Sequence, residues 1–132
     1  MHLPSKTERL NELLKDLSRA SQGNVEASLI VSKSQGLTIC SHYPDGEPGE
    51  GVPEEDVIAG RSTQIDMSTR KVFSQLKRGE LVRMLVEGER GYVIICNAGE
   101  DALLCVLTNK KVNLGYLFFM MTRIAQKIAN IL

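Results

Sequence analysis

The sequence predicts an α+β domain in which one five-stranded antiparallel sheet carries helices, in the order α-β-β-α-β-β-β-α. Three observations carry that expectation. Five short segments, Glu26–Ser32, Leu37–His42, Leu81–Glu87, Tyr92–Ala98 and Ala102–Thr108, are rich in aliphatic and β-branched residues, as pleated backbone packed on at least one face requires. The links Lys33-Ser34-Gln35-Gly36, Gly88-Glu89-Arg90-Gly91 and Gly99-Glu100-Asp101 are turn-like and too short for a crossover, so they join antiparallel neighbours. Three longer stretches instead repeat apolar residues every three or four positions, the spacing of one helix face.

The first helix runs from Ser5 to Ala20. Ser5 and Glu8 form a capping box, and Leu10, Leu13, Leu14 and Leu17 draw a narrow apolar stripe that must lie on another element. Gly23 and Asn24 end it, so residues 1–23 read as an N-terminal helical segment and 24–132 as the main domain. The first two strands make a hairpin around Lys33–Gly36, with Gly36 free to take positive φ. Tyr43 to Pro53 is a Pro- and Gly-rich loop, and from Asp45 to Asp56 there are six acids and no base. That run reads as a solvated loop leading to acids that favour a helix N-terminus, with an acidic docking patch as the alternative.

The second helix spans Glu54 to Arg78 and stops at Gly79. At 100° per residue Ile58, Ile65, Thr69, Val72 and Leu76 share the face expected to cover the sheet. Gly60, Thr63, Met67, Arg70 and Ser74 line the opposite face. Of the three later strands, Tyr92–Ala98 is apolar on both faces and is expected at the centre. The last helix, Leu114 to Leu132, buries Leu114, Leu117, Phe118, Met121, Ile124, Ala125, Ile128 and Leu132. Tyr116, Phe119 and Met120 fall outside that face and are either covered by the first helix or used by a partner.

Composition narrows the function. A chain of 132 residues with a formal net charge of +0, six Phe and Tyr and no Trp suits neither a nucleic-acid binder nor more than one domain. No apolar run spans a bilayer and no signal-peptide pattern opens the chain, so no membrane insertion and a cytoplasmic location are expected. Three cysteines without a C-x-x-C pair agree. If Glu100-Asp101 form a two-residue turn, Cys96 and Cys105 face each other; the favoured reading is still two buried, reduced thiols. Cys40 and His42 share a strand face, but with His2 at the terminus they do not make a zinc site. Gly46-Glu47-Pro48-Gly49-Glu50-Gly51 is acidic and would repel phosphate, and no Walker-type loop exists. Ser-x-x-Lys occurs at Ser68–Lys71 and Ser74–Lys77, too cheap a pattern to nominate a catalyst. Asp66 and Arg70 read as an ordinary helix-surface pair. No catalytic residue, metal or cofactor is therefore expected, and no enzyme.

Surplus surface points instead to self-association. The second helix has two usable faces, and one sheet covers one of them. The following strand has the look of a sheet edge, guarded only by Arg83 and Glu87. A homodimer is expected to use Gly60, Thr63, Met67, Arg70 and Ser74 together with Leu81, Arg83 and Leu85.

The segments Ser28–Ser32 with Ser34-Gln35-Gly36-Leu37, then Ile58-Ala59-Gly60, Gly79-Glu80-Leu81 and Asn113-Leu114-Gly115 follow one another in an order that resembles the Roadblock family, the dynein light-chain Roadblock type. The resemblance covers about Asn24 to Leu132. It implies a profilin-like β-β-α-β-β-β-α domain that dimerises through its long helix and third strand. It also implies a GTPase-regulator-like member, binding and regulating or scaffolding a Ras-like small GTPase without catalytic residues of its own. An adaptor subunit of a motor or membrane-associated scaffold is the alternative. The N-terminal helix and the acidic loop depart from the minimal family form. Partner contacts are expected at Gln64, Lys71 and Gln75 and at Tyr116, Phe119 and Met120; nothing nominates an arginine finger among Arg61, Arg70 and Arg123.

Overall fold

In the computed structural model, which describes residues 3–132, the elements are α1 (Lys6–Ala20), β1 (Val25–Ser32), β2 (Thr38–His42), α2 (Glu55–Gln75), β3 (Arg83–Glu87), β4 (Gly91–Asn97), β5 (Ala102–Asn109) and α3 (Leu114–Ile131). The expected class and order are those observed. The strands form one antiparallel sheet in the order β2-β1-β5-β4-β3. The centre is therefore β5 and not Tyr92–Ala98. Both strands are apolar on both faces, and local pattern cannot tell which of them the distant β1 will pair with.

Side chains alternate between two cores. Ile30, Cys40, Ile94, Cys96, Leu104 and Val106 face α1 and α3, while Leu29, Val31, Ile95, Leu103 and Cys105 face α2. The Oγ of Ser5 accepts from the Glu8 amide at 3.1 Å, and Leu10, Leu14 and Leu17 of α1 are buried against α3, β1 and β2. A 15-residue helix is marginal alone in water, and burying each of these leucines stabilises it by about 1.5–3 kcal/mol. At the other end of this layer Asn113 caps α3, its Oδ1 accepting from the Tyr116 amide at 3.0 Å.

The register separates the cysteines. Cys96 pairs with Leu104, and Cys105 with Ile95, so the two thiols lie on opposite faces of the sheet. The turn holds Gly99, Glu100 and Asp101, closed by the Ala98 amide on the Ala102 carbonyl at 2.9 Å, and that extra residue shifts the pairing by one. Burial pushes both thiols up to about 12, which leaves them protonated and unreactive at neutral pH.

Two local features have measurable consequences for stability. A Cβ on Gly91 would stand 2.0 Å from the Thr108 carbonyl oxygen of the adjacent strand, so no side chain fits there. Gly91→Ala is expected to cost about 3 kcal/mol or more, read as a fall in the urea midpoint, because backbone and not a flexible side chain must move. His42, under α1, is held below its ordinary value of 6.5, first by burial and then by the charges of Lys15 and Arg19. Below pH 6.5 the unfolded chain takes up a proton that the folded one resists, so stability is full above that pH and falls beneath it. Urea midpoints at pH 7.5 and 5.5 should differ in the wild type, and His42→Gln should shrink the difference.

A candidate interaction surface on the second helix and the edge strand

The helix α2 sits on the sheet by its smallest residues. Ile58, Ala59, Ser62, Thr63 and Asp66 are its buried positions. Thr63 donates its hydroxyl to the Ala59 carbonyl at 2.9 Å, Ser62 lies within hydrogen-bond reach of Cys105, and Thr63 fills the space over Gly36. Small side chains let the helix approach the sheet closely, and each polar one finds a partner nearby. The helix ends at Gln75, three residues earlier than expected. Lys77 takes φ of 54°, and the Arg78 amide bonds the Phe73 carbonyl, a Schellman-type stop.

This seat overturns the expected division of faces. Ile65, Val72 and Leu76 are exposed, whereas Thr63 is buried. The spacing of large apolar residues marks the wrong flank, since the inner face is the polar and small one between the two stripes. Asp66 and Arg70 are no surface pair either. Asp66 is 2% exposed, and Arg70 donates Nε to it at 2.6 Å and Nη2 to Asn97 Oδ1. Asn97 in turn donates to the Leu81 carbonyl at 2.9 Å. The chain pins the C-terminal half of α2 to β4 and to the segment before β3. Leu81 itself is buried, and the strand starts two residues later than expected, at Arg83.

The helix starts beside β2, where Glu55 accepts from the Ser41 hydroxyl, and ends toward β3. It lies over β2, β1 and β5 and meets β3 through Thr69, whose hydroxyl contacts Met84 Sδ at 3.4 Å. The outer half of this face is left open, with Met84, Val93 and Leu107 only partly covered and Val86 exposed. Ile65, Val72 and Leu76 share the flank of Thr69 and look across that opening. Beside it β3 is an edge strand, unpaired on its outer side. Its opposite face carries Leu85 and Arg83, the latter stacked over the Phe118 ring at 4.4 Å.

The predicted contact residues are thus redistributed. Arg83 and Leu85 lie on the edge strand, and Thr63, Arg70 and Leu81 are occupied within the chain. Gly60, Met67 and Ser74 are exposed on the flank opposite Thr69, and Ser74 borders the Gly79–Leu81 segment that enters β3. Gln64, Lys71 and Gln75 form an exposed outer ridge with Arg61. Tyr116, Phe119 and Met120 sit on α3, across the sheet from that ridge, so one protomer cannot offer both groups to one partner surface. Met120 packs against the α1–α3 core, while Tyr116 and Phe119 remain exposed. What the sequence did not reveal is that Ile65, Val72, Leu76 and Val86 are exposed, because an aliphatic stripe reads the same buried or bare.

Reactive groups are tied up elsewhere. Burial raises the Cys40 thiol, which donates to Asn11 Oδ1 at 2.9 Å, and Cys40 and His42 lie under α1. The His2 half of the zinc reading lies outside the described residues, and among those no group of three His, Cys, Asp or Glu could hold a metal. No helix of the described residues is long and apolar enough to cross a membrane. A half-open sheet, an edge strand and an exposed helix flank leave this side of the domain uncovered.

Comparison with known proteins places it. The sequence profile of the Roadblock/LC7 domain matches residues 10–108, and the protein belongs to that family. Its architecture is the profilin-like Roadblock fold. An uncharacterized protein of Methanocaldococcus jannaschii is 30% identical over 119 residues, covering 90% of this chain and 92% of the relative. MglB in a tetrameric arrangement superposes with a TM-score of 0.87 at 21% identity, over 99% of this chain and 93% of that one. The gliding protein MglB of Thermus thermophilus gives 0.86, again at 21% identity, 99% and 93%. Both alignments extend through α1, so the N-terminal helix is a shared part of the fold. The family is one of regulators and adaptors; no catalytic family is indicated.

The latch on Asp66 can be probed directly. Arg70→Ala leaves a buried carboxylate without its partner and is expected to cost about 3 kcal/mol in urea unfolding, whereas Arg61→Ala on the outer ridge should stay within about 0.5 kcal/mol.

Proposed function

We propose that the protein is a homodimeric platform that binds a Ras-like small GTPase and regulates or scaffolds it, contributing no catalytic residue. The observation that carries this reading is the opening beside α2. A second copy related by a twofold axis would lay its own Ile65–Val72–Leu76 flank over the uncovered half of the sheet, and the two β3 edges would pair. Pairing satisfies the free amides and carbonyls of both edges and hides Val86. The tetrameric arrangement of MglB supports self-association as a habit of this fold.

In such a dimer the outer ridges of two α2 helices stand side by side. Arg61, Gln64, Lys71 and Gln75 then form a polar, rimmed surface with few long acidic side chains, suited to a partner's mobile loops. Contact there would bias one arrangement of the GTPase switch segments, a positional effect that needs no chemistry from this chain. Family membership supports a regulatory or adaptor role of this kind.

Sedimentation at about 0.5 M salt, where exposed charge pairs are screened, should report a dimer at micromolar concentration, and Ile65→Lys with Val86→Lys should report a monomer. Purified Ras-like GTPases from the same genome, loaded with GTP analogue or GDP, should be retained by the wild type with a preference for one nucleotide. Gln64→Ala with Lys71→Glu should cut retention about tenfold, the loss of roughly one charged contact, and leave the dimer intact. A wild-type monomer would refute the platform. Equal retention in both nucleotide states would make the protein an adaptor.

A further inference from the structure

The charges of this chain are segregated in a way that the α2 surface does not use. From Ala102 to Leu132 there is neither Asp nor Glu, while Lys110, Lys111, Arg123 and Lys127 are present. On the outer side of α3 Tyr116 and Phe119 are 47% and 55% exposed, and the Arg123 guanidinium lies over the Phe119 ring at 5.6 Å. Spacings of three and four residues put Tyr116, Phe119 and Arg123 on one stripe. Among the described residues Lys111, Arg123 and Lys127 have no ion pair; the pairs join Arg19 to Glu12 and Asp16, Arg70 to Asp66, and Lys110 to Glu87.

The complementary surface lies in the same chain. Asp45, Glu47, Glu50, Glu54, Glu55 and Asp56 are all exposed, and none is ion-paired among the described residues. The loop that carries them is braced. Tyr43 donates its hydroxyl to the Pro53 carbonyl at 2.9 Å, the Gly46 amide bonds the Tyr43 carbonyl at 2.9 Å, and the Val52 amide bonds the Gly49 carbonyl at 3.1 Å. A loop already held in shape loses little entropy on docking. It leads directly into α2, on the opposite face of the sheet from α3, so a protomer cannot fold its own acids onto its own stripe.

We infer that the Tyr116–Phe119–Arg123 stripe receives the Asp45–Asp56 segment of a second copy. The two surfaces are unlike, so the contact is heterologous and adds copies beyond any twofold pair. It does not rest on the GTPase reading and needs none of the α2 and β3 residues that form the twofold platform. Its attraction runs between exposed charges, which salt screens within about 10 Å at 0.1 M and about 3 Å at 1 M.

Sedimentation velocity at about 20 mM and about 500 mM NaCl tests it. The weight-average mass at low salt should be at least twice that at high salt. Asp45→Asn with Glu47→Gln and Glu50→Gln should abolish the gain, as should Arg123→Glu with Phe119→Asp, each leaving the high-salt mass and the urea midpoint unchanged. Mixing the Arg123→Glu protein with one carrying Glu47→Lys and Glu50→Lys should restore assembly that neither shows alone. Equal mass in both salts, or low-salt assembly indifferent to the loop substitutions, overturns the inference. So does a wild type of constant mass that sediments with phosphatidylserine vesicles and loses that binding on Arg123→Glu, which would assign the stripe to anionic lipid.

Discussion

The seat of α2 on its sheet is the contact from which the rest follows. A helix whose inner positions are Ala59, Ser62, Thr63 and Asp66 can come close to the strands, but only where the strands present bulk to meet it. Leu29, Val31 and Leu103 supply that bulk over β1 and β5. Toward β4 and β3 the inner face ends in a buried aspartate, which is held by Arg70, itself fixed in place by Asn97. The helix is therefore fixed at both ends, and it leaves Met84, Val93 and Leu107 only partly covered and Val86 exposed.

The two faces of the sheet are consequently unequal. Under α1 and α3 the core is closed, with Leu14, Leu17, Met121 and Ile128 fully buried. On the other face there is one helix, α2, and the core beneath it is smaller. An aliphatic flank facing an uncovered strand pair leaves apolar area in water, which costs free energy in proportion to its extent. The open side is thus a consequence of one helix packing on five strands.

Much of this is legible in the residues. All eight elements follow from period and turn chemistry, and the cap at Ser5 announces itself by residue type. The edge position of the third strand is legible too. What local pattern does not reach is whatever depends on long-range pairing. The place of β5 at the centre is set by β1, which lies far away in sequence, and the Cys96–Cys105 register turns on one residue of loop length. The inner face of α2 escapes because a helix wheel measures apolarity, whereas this contact is made by small and polar side chains whose partners, Gly36, Cys105 and Asn97, lie elsewhere in the chain. The same cause hides Asp66. An acid and an arginine four apart look alike on a wet surface and in a core, and only the carboxamide of Asn97 distinguishes the two. The split between the α2 ridge and the α3 stripe is likewise a property of layers, which no linear pattern reports.

One arginine gives the fold its mechanical character. Through Arg70 and Asn97 the far end of the long helix is fastened to the carbonyl of Leu81, two residues before the edge strand begins. Helix and edge are thereby joined through a single network, Asp66–Arg70–Asn97 and the Leu81 carbonyl. The same guanidinium thus serves two ends of the molecule, the buried carboxylate inside the helix seat and the approach to the outermost strand.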